Sequence, residues 1–172
     1  GLLTLAGMTP SRHNITYVEV PDGALLDPLP QPLDLAAIST YSAQADEAYE
    51  LAKRFEEQGI PTVIGGPHVT AMPEEAAQFC TAVAVGEGEP VWPRILDDAE
   101  SKRLKKYYKA DAGSFSMADA PLPALKLLDI SKYNRLTVQT SRGCPHSCEF
   151  CASSIILTNA YKQKPVSLVL RE

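Results

Sequence analysis

The sequence predicts an α/β fold, a doubly wound parallel sheet covered by helices on both faces, followed by the opening of a second α/β unit. Three observations predict it. Short, wholly apolar runs, "LAAIST" (35–40), "PTVIGG" (61–66) and "AVAVG" (82–86), alternate with stretches of helical periodicity. The runs lack the in–out alternation of a half-exposed strand, so they read as strands buried on both faces, the habit of parallel sheets. Glycine turns follow the second and third runs ("GGPHVT", "GEGEP") and end those strands at one edge of the sheet. The layer is of the flavodoxin-like or Rossmann-like kind.

The elements follow in order. "GLLTLAGMTP" is apolar but short and carries no basic leader, which predicts a helix of the fold rather than a signal peptide. Doubly wound folds usually open on a strand, so a first strand is expected to precede Gly1 in the parent protein. "ITYVEV" (15–20) is β-branched and aromatic and is followed by Pro-Asp-Gly, a strand and its turn. In 42–58, Ala48, Leu51, Ala52 and Phe55 form one apolar helical face. Ser42 is the expected N-cap, Asp46 and Glu47 lie in the first turn, and Gly59 is the expected stop. "PEEAAQFC" (73–80), with Pro73 suited to a first turn, and 89–100 are further helices. Residues 101–134 begin basic, pass through small polar residues and reach Pro121 and Pro123, an interdomain connection with a short helix near 123–128. "LTVQT" (136–140) is a new strand, and 164–172 begins a helix. The predicted organisation is a sheet domain over 1–100, a linker over 101–134 and the start of a second domain over 135–172.

Composition narrows the function. At 172 residues, 45% hydrophobic and 22% charged, the chain is of globular type. No run of about 18 apolar residues indicates a membrane span. A net charge of −5 argues against a nucleic-acid partner. The basic run Lys102, Arg103, Lys105, Lys106 reads as a solvated face. Glu87 and Glu89 in "GEGEPV", and the absence of a third glycine, exclude a dinucleotide site, since the carboxylates would repel a pyrophosphate.

Three of the four cysteines stand in "GCPHSCEFC" (143–151), after a predicted strand. In a cytoplasmic protein such bunching signals metal or redox chemistry rather than a disulfide framework. Cys144, Cys148 and Cys151 are soft ligands that suit zinc, copper(I) or an iron–sulfur cluster. Structural zinc takes four ligands, and His146 lies awkwardly between two cysteines for that role. The spacing departs from the ferredoxin pattern, which adds a fourth cysteine followed by proline. A cluster with one iron left open fits better, and a zinc-binding structural protein is the alternative. Cys80, among apolar neighbours, reads as a buried structural thiol.

"SRGCPHSCEFC" closely resembles the cluster loop of the radical S-adenosylmethionine superfamily. The resemblance implies that Cys144, Cys148 and Cys151 hold a [4Fe–4S] cluster after the first strand of a (β/α) barrel. It further implies that the open iron binds S-adenosylmethionine and that Phe150 packs near the adenine. "AISTYSAQ", "VIGGPHVT" and "AVAVGEGEP" before that loop resemble the subclass with an N-terminal B12-binding domain. That implies cobalamin along the sheet edge, with Thr40, Gly65, Gly66 and Gly86 at matching strand ends and His68 in the turn. No Asp-x-His-x-x-Gly motif supplies a lower-ligand histidine, and His13 lacks its context. The implied activity is reductive cleavage of S-adenosylmethionine to a 5′-deoxyadenosyl radical and, with cobalamin, methyl transfer. The implied partners are an unknown small-molecule substrate and a reductant such as a flavodoxin or ferredoxin, in a reducing cytoplasm. Later barrel elements are absent from this sequence, so the segment by itself is expected to be inactive. A non-catalytic cobalamin-binding or partner-docking module stays open beside the enzyme.

Overall fold

The structure, a computed structural model, describes residues 1–19, 26–111, 113–146, 148–151 and 160–172. Four strands, β1 (Ala36–Ser39), β2 (Thr62–Gly65), β3 (Ala82–Val85) and β4 (Tyr107–Lys109), make one sheet in that order, each pair parallel. Successive residues of a strand point to opposite faces, and both faces are covered. Ile64 and Val83 enter one apolar cluster, whereas their neighbours Val63 and Ala82 enter the other. The first face is packed by α2 (Ala45–Glu57), α3 (Pro67–Ala71) and α4 (Pro73–Ala76), through Tyr49, Ala52, Val69 and Ala76. The second is packed by α5 (Trp92–Glu100) and α1 (Leu2–Met8), through Trp92, Ile95 and Leu5. Each fully buried Val or Ile contributes roughly 1.5–3 kcal/mol. The parallel sheet covered on both faces that the apolar runs predict is therefore present. Among the described residues no helix is long and apolar enough to cross a membrane.

Helix α2 ends as its sequence predicts. Gly59 takes φ 76°, its N–H donates to the Glu56 carbonyl at 2.9 Å, and the Ile60 N–H donates back to Phe55 at 3.0 Å. These two bonds and the burial of Phe55 beside Ile60 form a Schellman stop.

Several local expectations are corrected. Ser42 does not cap α2; it starts a short 3-10 turn, Ser42–Gln44, and its hydroxyl bonds His68 instead. Residues 15–19 form no strand, because β-branched residues make a ladder only when a strand edge is available to them; Val20 and the Pro-Asp-Gly turn lie outside the described residues. The segment 136–140 forms no strand either. A two-residue strand, β5 (Ser141–Arg142), pairs antiparallel with β6 (Lys162–Gln163), and α6 (Val166–Arg171) follows. The helix expected near 123–128 is a single 3-10 turn, Leu125–Leu127. Strand β4 falls inside the segment that reads as a connection.

Candidate functional site

The carboxyl ends of β1, β2 and β3 open on a cavity of about 240 Å³, the position where doubly wound sheets bind ligands. Ser39, Gly65, Gly66 and Gly86 border it on the sheet side. Gly66 is required there by its backbone: its φ is +106°, and a Cβ would stand 2.6 Å from the Thr40 carbonyl oxygen. Thr70, one turn into α3, ties the floor together. Its hydroxyl donates to the Gly66 carbonyl and accepts from the Gly86 N–H, both at 3.0 Å, so the ends of β2 and β3 share one side chain. Sequence reasoning missed Thr70; the signal available was a threonine four residues after the second glycine, within reach of that carbonyl. Apolar walls come from Leu5 and Trp92. The Trp92 indole N–H donates to the Thr9 hydroxyl at 2.8 Å, which fixes α1 against α5.

The resemblance assigned Thr40, Gly65, Gly66, Gly86 and His68 to one ligand. The structure brings the three glycines to the cavity and sets Thr40 and His68 outside its wall. Thr40 is buried, and its hydroxyl donates to the carbonyls of Tyr41 and Gln44. His68 is buried on the other side of the β2 turn. Its Nε2 lies 2.8 Å from the Tyr49 hydroxyl and 3.3 Å from Glu75, and its Nδ1 lies 3.1 Å from the Ser42 hydroxyl. Burial and the bond to Glu75 push the Tyr49 phenol up to about 12. Cys80 is buried as expected, and burial raises its thiol to about 11.

Glu87, Glu89 and Arg142, which border the cavity, form a buried group of four charges with Lys162. Arg142 of β5 reaches Glu87 at 3.0 Å and Glu89 at 2.7 Å, and Lys162 of β6 reaches both oxygens of Glu87 at 3.0 Å. The Lys162 ammonium also donates to the Phe115 carbonyl at 2.6 Å, and the Arg142 guanidinium lies over the Phe115 ring. Exposure of the side chains is 4% for Glu87, 7% for Glu89, 12% for Lys162 and 16% for Arg142, so these are interior ion pairs. Burial works to raise the Glu89 carboxyl, but the Arg142 guanidinium outweighs it and holds that carboxyl below its ordinary value. Burial likewise opposes the charge on Arg142, and the two carboxylates more than offset it.

Residues 143–161 join β5 to β6 and carry the three cysteines. Cys144 and Cys151 are half-buried, Cys148 is exposed, and none is in a disulfide. The Cys151 N–H donates to the Cys148 carbonyl at 3.0 Å, a turn that brings the x2 pair of the motif close along the chain. Among the described residues no three His, Cys, Asp or Glu side chains are gathered tightly enough to hold a metal. The donor set, three soft thiols on one loop, fits an iron–sulfur cluster in chemistry. Phe150 is almost wholly exposed.

Residues 31–96 match the family model for the B12 binding domain. The chain is 30% identical over 173 residues to the bacteriochlorophyllide d C-8(2)-methyltransferase of Chlorobaculum tepidum, covering 96% of this chain and 38% of that protein. It is 29% identical to the bacteriochlorophyllide d C-12(1)-methyltransferase of the same organism, over 99% of this chain and 38% of the relative. It is 28% identical to the hopanoid C-2 methylase of Rhodopseudomonas palustris, over 88% of this chain and 29% of the relative. The chain thus spans less than half the length of these curated relatives. The resemblance read from the sequence holds: residues 31–96 match the B12 binding domain, and the curated relatives to which the chain is similar are methyltransferases and a methylase.

Proposed function

We propose that this chain is the cofactor-holding portion of a cobalamin-dependent radical S-adenosylmethionine methyltransferase, with cobalamin at the carboxyl edge of the sheet and a [4Fe–4S] cluster on the cysteine loop. One observation carries the proposal: both ends of the thiol loop are docked at the rim of the cavity that the B12-binding sheet opens. Cys144, Cys148 and Cys151 would hold the cluster and Phe150 would lie beside S-adenosylmethionine. Together with cobalamin, these groups supply radical generation and methyl transfer to a carbon of the substrate.

The chain's own residues do the rest. Gly66 and Gly86 keep side chains out of the cavity, so a ligand can approach the backbone. Leu5 and Trp92 exclude water from its walls. Gly65, Gly66 and Gly86 would border the nucleotide tail of a corrinoid at this edge of the sheet. Reading residues 135–172 as the opening of a barrel rests on the sequence resemblance, since β5 is followed by its antiparallel partner β6 before α6.

Anaerobic reconstitution with iron and sulfide tests the loop. The wild type should gain cluster absorption, and a Cys144→Ala/Cys148→Ala/Cys151→Ala variant should not; equal absorption would sink the assignment. Retention of hydroxocobalamin after desalting tests the sheet, with Gly66→Ala expected to lose it. The ungathered thiols favour a second reading, a cobalamin-binding module without a cluster. Retained corrinoid with no iron bound would select it, and one tightly held zinc would select a structural metal.

A further inference from the structure

Two carboxylates follow β3, and neither is explained by holding a ligand. Glu87 and Glu89 are buried, and a buried carboxylate is costly unless it is paired. Their partners lie 53 to 75 residues further along the chain. These partners stand at special points: Arg142 is the last residue of β5, before Gly143 and Cys144, and Lys162 is the first residue of β6, after the loop. Arg142 and Lys162 also face each other in the β5–β6 ladder. The loop is thus pinched at its base by a two-pair antiparallel ladder, and the base is fastened to the sheet by charge.

We propose that Glu87 and Glu89 are positioning residues that tether both ends of the cysteine loop to the carboxyl edge of the B12-binding sheet. The geometry is specific. Glu89 takes the guanidinium fork of Arg142 at 2.7 and 3.1 Å, an arrangement that fixes direction as well as distance. Glu87 bridges, accepting from Arg142, from Lys162 and from the Phe115 N–H at 3.3 Å. Phe115 belongs to the connecting segment, so one carboxylate gathers that segment and both ends of the loop. Glu87, Glu89 and Arg142 also border the cavity, so a ligand seated there touches the tether itself. The purpose assigned to the tether, holding a cluster loop opposite a corrinoid, rests on the function proposed above; the tether does not.

Trypsin reads the tether directly, because it cleaves after arginine and lysine and must first extract the side chain into its own pocket. In the wild-type protein, cleavage after Arg142 and Lys162 should be slow and limited by local opening. In a Glu87→Gln/Glu89→Gln variant both should be cut about tenfold faster, while cleavage after Lys53 in α2 stays unchanged. Equal rates at Arg142 and Lys162 in the two proteins would overturn the proposal. The opposite partner gives an independent arm: Arg142→Gln should speed cleavage at Lys162, and Arg142→Lys should restore part of the protection. No difference between those two variants would count against an ionic tether. Should the variants not fold, amide exchange of the wild type decides the matter: 141–143 and 162–164 should be protected, and free exchange at both refutes the tether. Iron binding keeps the questions apart. A protein that holds a cluster but is cut equally with and without the carboxylates keeps its function and loses the tether, and protected ends without a cluster do the reverse.

Discussion

Residues 36–110 and the described residues from Gly113 onward are held by different physics. The first region is an apolar sandwich: Ile64, Val69 and Val83 on one side of the sheet and Val63, Ile95 and Tyr108 on the other are almost wholly buried. The second has Met117 as its one buried hydrophobic residue among those described, and it meets the sheet through Arg142 and Lys162. Burial of apolar surface is indifferent to direction, whereas a guanidinium fork on a carboxylate is not. The sheet is thereby held by packing, and the ends of the thiol loop are held by directed charge.

The comparison breaks most completely if the sheet is hollowed. Ile64→Ala should lower the unfolding free energy by about 2–5 kcal/mol, measured by urea titration on Trp92 fluorescence, and protection at 141–143 should vanish in the same transition. Next in size is Gly66→Ala. The left-handed backbone costs on the order of 1–3 kcal/mol, and the approach to the Thr40 carbonyl adds to it. Gly59→Ala sharpens the result, since Gly59 shares the sign of φ but has open space around it. It should cost about 1 kcal/mol and leave corrinoid retention intact.

Acid should act on the second region first. The Glu89 carboxyl lies below its ordinary value in the folded protein, so the folded state binds fewer protons than the unfolded one between those two values. Its stabilisation is complete above the ordinary glutamate value of about 4.3 and is lost as the pH falls through the folded value. Arg142 pairs with both Glu87 and Glu89, and Lys162 pairs with Glu87. Amide exchange at 141–143 should therefore rise at a pH where the sheet core remains protected. Smallest of all, Phe150→Ala should change stability by less than about 0.5 kcal/mol, because the ring is 92% exposed, and the same melting measurement checks it.

What the sequence made legible was local or periodic. Three of the four sheet strands, the apolar face of α2 and the Gly59 stop all follow from neighbours a few residues apart. Strand β4 escaped because only Tyr108 of its three residues is buried, and Lys105, Lys106 and Lys109 give it the look of a solvated connection. "LTVQT" misled for the converse reason: its residues suit a strand, but only Thr140 at its end bonds across, to the Lys164 N–H, and the strand begins at Ser141. The roles of Glu87 and Glu89 were invisible, since their partners stand more than fifty residues away. Their charge was read as a repulsion when the fold uses it as an attachment.

The sequential order of the sheet has a consequence for assembly. Each of β2 to β4 pairs with the strand before it in the chain, so the sheet grows by one crossover at a time. Glu87 and Glu89 come into place with β3, before Arg142 and Lys162 are needed. In chain order the two carboxylates therefore precede the thiols, and Lys162, the second cation they hold, follows them.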